Sequence, residues 1–157
     1  MLGFVVIVIW YAGIGLLAAT GAISVSRKIF APKAEQIFYA MFLILFALFY
    51  LAFVSYFQET TAWRLETLAA LGFVVIGLLG MRLPFFLIAG YSLHGIWDLL
   101  HELHAHGTHS AFERGQLTAI PLAYGFFCAV FDLCMAAYFY TRRADWTAAS
   151  KPLVPDD

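Results

Sequence analysis

The chain has 157 residues, of which 63% are hydrophobic and 12% are charged, and its mean hydropathy is +0.84. A soluble globular domain carries about 25% charged residues, so this composition excludes a soluble domain and predicts an integral membrane protein surrounded by lipid. The formal net charge of −1 offers no basic surface for a nucleic acid, and we expect no nucleic-acid partner.

Five apolar segments are each close to the roughly 17–25 residues that cross a bilayer as a helix. The predicted spans are residues 2–23, 36–57, 65–81, 85–104 and 119–141. The third and fourth must be separate helices, because one helix of their combined length would be about 60 Å long, twice the thickness of the hydrocarbon. Pro84 disfavours helical geometry at Leu83 and predicts a tight turn there. The fold class expected is therefore an all-α integral membrane bundle of five transmembrane helices.

The basic residues predict how this bundle is oriented. With five spans, one side of the membrane receives most of them and the other side receives only Arg64 and Arg114. The positive-inside rule then predicts an outside N-terminus and a cytoplasmic C-terminus in a multi-pass protein of the bacterial inner membrane. Residues 1–144 form one predicted transmembrane domain, and residues 145–157 form a polar cytoplasmic tail. The basic residues on the predicted cytoplasmic side are Arg27, Lys28, Lys33, Arg82, Arg142, Arg143 and Lys151.

The fourth predicted span carries ionisable groups that are expensive to place in hydrocarbon and that therefore indicate function. All five histidines of the chain lie between His94 and His109. His94, Asp98 and His101 are spaced i, i+4 and i+7, which places them within about 60° of arc on one helix face. Imidazole and carboxylate groups are ligands of Fe, Mn, Zn and Cu. The spacing therefore predicts a transition-metal site on this face.

Asp132 lies near the middle of the fifth span and is expected to be the only other buried acid. If the last two spans are antiparallel neighbours, Asp132 lies at the depth of His94. We therefore predict that His94, Asp98 and Asp132 face one another across a dry helix pair. The predicted metal ligands are His94, Asp98, His101 and Asp132, and the secondary candidates are Glu102, His104, Tyr124 and Cys128.

The same residue types also occur in sites that hold no metal. A hydrogen-bonded structural network or a proton-handling network would use a histidine and an aspartate in the same way. His104, His106 and His109 lie at or beyond the predicted interface, where solvated polar residues are normal.

A stripe of phenylalanines follows the second span with spacings of three and four residues, within about 100° of arc. One interpretation is the wall of a groove for a long apolar molecule such as a fatty acid, a carotenoid or a quinone. The other is a face towards lipid or another subunit, and we favour this second interpretation. The stripe consists of Phe38, Phe42, Phe46, Phe49, Phe53 and Phe57.

Two resemblances accompany these motifs. The segment Leu93-His94-Gly95-x-Trp97-Asp98-x-x-His101, with the later Phe131-Asp132, resembles small uncharacterised bacterial multi-pass membrane proteins. This resemblance covers roughly residues 90–138, implies that both segments belong to one motif, and brings no known activity. A weaker resemblance is to membrane-embedded carotenoid-cleaving dioxygenases, which are longer and draw their iron-binding histidines from several helices.

Three functions fit the sequence. The first is a membrane metalloenzyme acting on a lipophilic substrate, by oxidation with Fe or Cu or by hydrolysis with Zn. The second is a non-catalytic accessory subunit of a larger membrane complex. The third is a metal or proton-coupled transporter, for which five helices would require a homo-oligomer.

Overall fold

A computed structural model describes residues 2–107 and 110–150, and within these residues every regular element is an α-helix. This confirms the predicted all-α class. His109 and Lys151, which the sequence predictions used, lie outside the described residues. The helices are α1 (Leu2–Ile29), α2 (Pro32–Phe57), α3 (Trp63–Gly80), α4 (Pro84–His106) and α5 (Tyr124–Ala148).

Four of the described helices, α1, α2, α3 and α5, are long and apolar enough to cross a membrane. The fourth helix in the chain, α4, has 23 residues and is therefore roughly 34 Å long, but its polar side chains keep it out of this set. It packs along α5 and also contacts α2 and α3. The surrounding helices therefore shelter the polar residues of α4, which in a membrane would keep them away from lipid.

The tight turn predicted before Pro84 is confirmed. Residues 81–83 alone join α3 to α4, and Pro84 stands in the first turn of α4, where its missing N–H is not needed. Leu83 has the extended backbone that a following proline requires, with φ −119° and ψ 108°.

The fifth helix begins and ends later than the sequence indicated. It starts at Tyr124 rather than at residue 119, because Pro121 precedes it and Ala123 has a left-handed φ of 60°. It continues to Ala148, through the first residues of the predicted polar tail. Trp146 is fully buried there and donates to Glu35 at 3.0 Å, which explains why the helix persists beyond its apolar segment.

Glu35, in the first turn of α2, joins three helices at this end of the bundle. It is fully buried and accepts hydrogen bonds from Ser26 of α1 at 3.0 Å and from Tyr138 of α5 at 2.5 Å. Arg142 of α5 donates to the second carboxylate oxygen through two nitrogens, at 3.0 and 3.1 Å. Glu66 of α3 is also fully buried. We expected Asp132 to be the only buried acid besides those of the fourth span, and this expectation is therefore wrong.

Side chains at the same end connect the remaining helix termini. The Lys33 ammonium donates to the Met81 carbonyl at 2.7 Å and to the Ser150 hydroxyl at 3.0 Å. Gln36 donates to the Gly80 carbonyl at 2.7 Å. The α1–α2 turn, the α3–α4 turn and the C-terminus of α5 therefore lie together, as an alternating up-and-down bundle requires. The described basic residues at this end are Arg27, Lys28, Lys33, Arg82, Arg142 and Arg143.

We predict that Glu35→Ala lowers the free energy of unfolding by about 3 kcal/mol, because it leaves the buried Trp146 N–H and the Tyr138 hydroxyl without their acceptor. Thermal or denaturant unfolding of the purified protein in detergent would measure this loss. The exposed Glu113 provides the control, and Glu113→Ala should change stability by no more than about 0.5 kcal/mol. Equal stabilities of the two variants would contradict the role assigned to Glu35.

Candidate functional site

Three of the predicted site residues meet where α4 crosses α5. His94 Nδ1 lies 2.8 Å from Asp132 Oδ2 and 3.1 Å from Asp98 Oδ2. None of the three side chains is accessible, since His94 is 2%, Asp98 0% and Asp132 1% exposed. One potential ligand atom from each residue lies within 4.8 Å of the others, so the cluster can hold a metal ion by geometry. The structure thus brings together His94, Asp98 and Asp132, as the i, i+4 spacing and the matched depths predicted.

Two glycines allow the helices to approach closely at this cluster. A Cβ atom on Gly95 of α4 would lie 3.2 Å from Asp132 Cβ and 3.3 Å from the Ala129 carbonyl oxygen. A Cβ atom on Gly125 of α5 would lie 2.4 Å from the Asp98 carbonyl oxygen, which no structure tolerates without movement. Small residues at helix crossings let membrane helices come together. The close approach of the helices therefore requires a glycine at position 125, whereas a side chain at position 95 would need a small shift of α5.

Tyr50 of α2 completes the polar surroundings of Asp98. Its hydroxyl donates to Asp98 Oδ1, the oxygen that does not face His94, and the side chain is buried. Its ring also packs against that of His101, with centroids 4.2 Å apart. Sequence reasoning missed this residue. The only signal was a hydroxyl group on a helix otherwise dominated by phenylalanine.

His101 is not part of the cluster, although it was predicted as a ligand. Its Nε2 atom lies 2.7 Å from Glu66 Oε1 on α3, and its Nδ1 atom donates to the Trp97 carbonyl at 3.0 Å. The i, i+7 spacing correctly places His101 on the same face of α4 as His94. It also separates the two residues by about 10 Å along the helix axis. At that height His101 faces α3, and a proton lies between it and Glu66 because Nδ1 already donates elsewhere.

Glu102 has a structural role at the start of α5. Its two carboxylate oxygens accept the backbone N–H groups of Ala123 and Gly125, each at 3.0 Å. A carboxylate at a helix N-terminus satisfies amides that have no partner within the helix and complements the helix dipole. Among the other secondary candidates, His104 contacts the Ser110 hydroxyl at 2.8 Å and lies outside the cluster.

A cavity of about 390 Å³ lies beside the cluster. Its polar boundary consists of His94 and Asp132, together with Tyr124 and Cys128, the remaining secondary candidates. The rest of its lining is apolar and mainly aromatic. The apolar lining residues are Ala22 of α1, Phe42, Phe46 and Phe49 of α2, and Phe127 and Phe131 of α5.

The two ring nitrogens of His94 have different surroundings. Nδ1 faces both carboxylates, whereas Nε2 is buried and has no hydrogen-bond partner within residues 2–107 and 110–150. A buried polar atom without a partner is costly and calls for a ligand, an ion or a water. His94 lines the cavity, but Nε2 itself has almost no accessible surface.

Comparison with known proteins gives a family but no activity. A family model matches residues 12–145, which is most of the chain. The chain belongs to a family of unknown function, DUF6010. No curated protein and no solved structure matches it. The membership agrees with the expectation of an uncharacterised family, and any function has to be argued from the site itself.

We predict that Glu102→Ala speeds hydrogen exchange at the amides of Ala123 and Gly125 by roughly tenfold or more, because both lose their buried acceptor. Hydrogen–deuterium exchange resolved to single amides would measure it. Glu59 gives a matched control, since its carboxylate accepts from the Ala119 amide at 2.6 Å. Glu59→Ala should speed exchange at Ala119 and leave the other two amides protected. Unchanged exchange in Glu102→Ala would refute the capping role.

Proposed function

We propose that this chain is a multi-pass membrane protein that binds a divalent transition-metal ion through His94, Asp98 and Asp132 and presents it to a lipophilic molecule. The observation that carries the proposal is that three buried ligand side chains converge and that two of them, His94 and Asp132, line a mainly apolar cavity. The cavity gives such a molecule a binding space, and the cluster supplies the chemistry.

Charge supports a metal at this position. Asp98 and Asp132 bring two carboxylates into a buried site where His94 is the only basic side chain within hydrogen-bonding distance in the described part of the chain. Buried carboxylates that close together repel one another unless a proton or a cation lies between them. A divalent cation would neutralise both carboxylates. The mixed nitrogen and oxygen donors suit Fe, Mn, Zn or Cu rather than Ca or Mg.

The surroundings of the three ligands support a functional metal more than a structural one. Only three protein ligands converge, which would leave a coordination position open, as catalytic metal sites require. A metal bound there would supply a Lewis acid beside the cavity. The chain's own contributions are the dry aromatic walls that exclude water and the Tyr50 hydroxyl that orients Asp98.

We predict that purified wild-type protein contains roughly one transition-metal ion per chain and that His94→Ala and Asp132→Asn abolish this content. Elemental analysis by mass spectrometry after purification without chelators would measure it. Tyr50→Phe should weaken metal affinity by about 10- to 100-fold, because it removes only an orienting hydrogen bond.

Two further histidines make this test specific. His104→Ala, outside the cluster, should keep the full metal content, and so should His101→Ala, whose partner is Glu66. Wild-type protein that is folded but binds no Fe, Mn, Zn or Cu on reconstitution would overturn the proposal. Loss of metal in His101→Ala, with folding intact, would show that the ligand set extends along α4.

The proposed orientation places the C-terminus of α5 in the cytoplasm and the N-terminus of α1 outside. The support is that six described basic residues lie at the end of the bundle formed by the α1–α2 turn, the α3–α4 turn and the C-terminus of α5. Among the basic residues that the structure describes, only Arg64 and Arg114 belong to the opposite end. Basic residues are retained on the cytoplasmic side of bacterial membranes.

We predict that Ser110→Cys is labelled by a membrane-impermeant maleimide in intact cells, whereas Arg82→Cys is labelled only after lysis. Both substitutions are made in a protein in which Cys128 and Cys134 are replaced by alanine, so that the new cysteine is the only one labelled. Labelling would be read by a gel shift. The reverse pattern would invert the orientation without affecting the proposed metal site.

A further inference from the structure

A groove lies on the outer surface of the bundle, where the start of α4 is beside the end of α5, and it shares no lining residue with the cavity beside His94. Its volume is about 830 Å³. It is open to the surroundings, because Phe85 on one wall is 71% exposed and Tyr140 on the other is 57% exposed. We call it the α4–α5 groove, and its lining includes Leu83, Phe85, Ile88, Tyr140, Arg143 and Thr147.

The two walls of the α4–α5 groove differ in chemistry. The wall at the start of α4 is apolar and ends in the phenyl ring of Phe85 and the side chain of Ile88. The wall on α5 contributes the guanidinium of Arg143, and no aspartate or glutamate lines the groove in the described part of the chain. A ligand that matches both walls therefore carries hydrocarbon and a negative charge.

The guanidinium of Arg143 is held in place rather than left to move freely. Its Cζ atom lies 3.6 Å from the centre of the Tyr140 ring, and one of its nitrogens donates to the Tyr140 carbonyl. Within residues 2–107 and 110–150 it forms no ion pair with a carboxylate. A guanidinium has five N–H groups in a planar fork that matches a phosphate, so donors remain for such a group.

The charge of this end of the bundle favours an anion as well. Six described basic residues lie there, from Arg27 to Arg143, against two described acids, Glu35 and Asp145. Both acids contact Arg142, so neither neutralises the groove. Basic pockets between membrane helices attract anionic lipid headgroups in this way.

We infer that the α4–α5 groove binds an anionic phospholipid, with an acyl chain along Phe85 and Ile88 and the phosphate on Arg143. A zwitterionic phospholipid has the same phosphate but adds a cation to an end that already carries an excess of positive charge. A free phosphate ion would leave the apolar wall without a partner. The inference goes beyond the proposed function and does not depend on a metal ion.

Phosphatidylglycerol and phosphatidylcholine with the same acyl chains are suitable probes, because they differ only in the headgroup. Binding of tritiated phosphatidylglycerol to the full chain in a non-ionic detergent would be measured by scintillation proximity. We expect saturable binding, with competition by phosphatidylcholine about 10-fold weaker or less effective still. Inorganic phosphate in tenfold excess should not displace the lipid, which separates a lipid site from a site for the free ion.

Two variants test the charged part of the groove. Arg143→Gln should weaken phosphatidylglycerol binding about fivefold, the effect of one basic residue near an anionic headgroup, and leave phosphatidylcholine binding unchanged. Arg27→Gln removes the same charge from an exposed position at the same end but outside the groove, and should bind as wild type.

Two further variants test the groove as a space. Ala144 is exposed and lines the groove, so Ala144→Trp should fill it without disturbing the fold and weaken phosphatidylglycerol binding about 10-fold. Ala52→Trp adds the same ring at an exposed position of α2 and should bind as wild type.

Four results would overturn the inference. They are the absence of saturable phosphatidylglycerol binding, equal affinities for the two lipids, displacement of the lipid by inorganic phosphate, and equal affinities of Arg143→Gln and Arg27→Gln. The last result would assign the binding to the overall charge of this end rather than to the groove. Unchanged binding in Ala144→Trp would also place the lipid elsewhere.

Discussion

A carboxylate buried in an apolar bundle needs donors from a neighbouring element, and in this chain that requirement joins the helices to one another. Glu35 of α2 is held by side chains of α1 and α5, and Asp98 of α4 by Tyr50 of α2. Glu66 of α3 is paired with His101 of α4. Because each partner lies on a different helix, satisfying the carboxylates also fixes which helices are neighbours.

The two ends of the bundle meet this requirement in different ways. At the end with Glu35, the donors are side chains from helices that continue past the apolar segment. At the other end, the donors are backbone amides of the segment before α5, and the acceptors are Glu59, Glu66 and Glu102. Three carboxylates thus position residues 118–125. That segment leads directly into Tyr124 and Cys128, so part of the cavity lining is positioned by acids that do not themselves line it.

The sequence predicted the helices and the centre of the site because both depend on local periodicity. The spacing of His94 and Asp98 fixes their shared face, and equal depth connects them to Asp132 across an antiparallel pair. His101 shows the limit of this reasoning, since a helical period gives the direction of a side chain but not which helix lies beside it about two turns away. Its partner, Glu66, depends on where α3 lies, and that is a matter of tertiary packing.

Glu35 escaped prediction for a related reason. It stands just outside the apolar segment predicted for α2, where a charged residue is expected to be solvated. Its burial depends on Arg142 and Trp146, which stand beyond the predicted end of the fifth span. In the sequence, the start of α2 and the end of α5 each look like the solvated flank of an apolar segment. Both are buried because they pack against each other, and neither segment indicates this by itself.

The phenylalanine stripe of α2 has residues in two different environments. Phe42 and Phe46 line the cavity, and Phe49 lines it while remaining exposed on the outer surface of the bundle. The stripe therefore belongs both to the cavity lining and to the outer surface of the helix. α1 packs along α5 rather than along α2, and this packing leaves the phenylalanines of α2 to line the cavity instead of contacting α1 along its length.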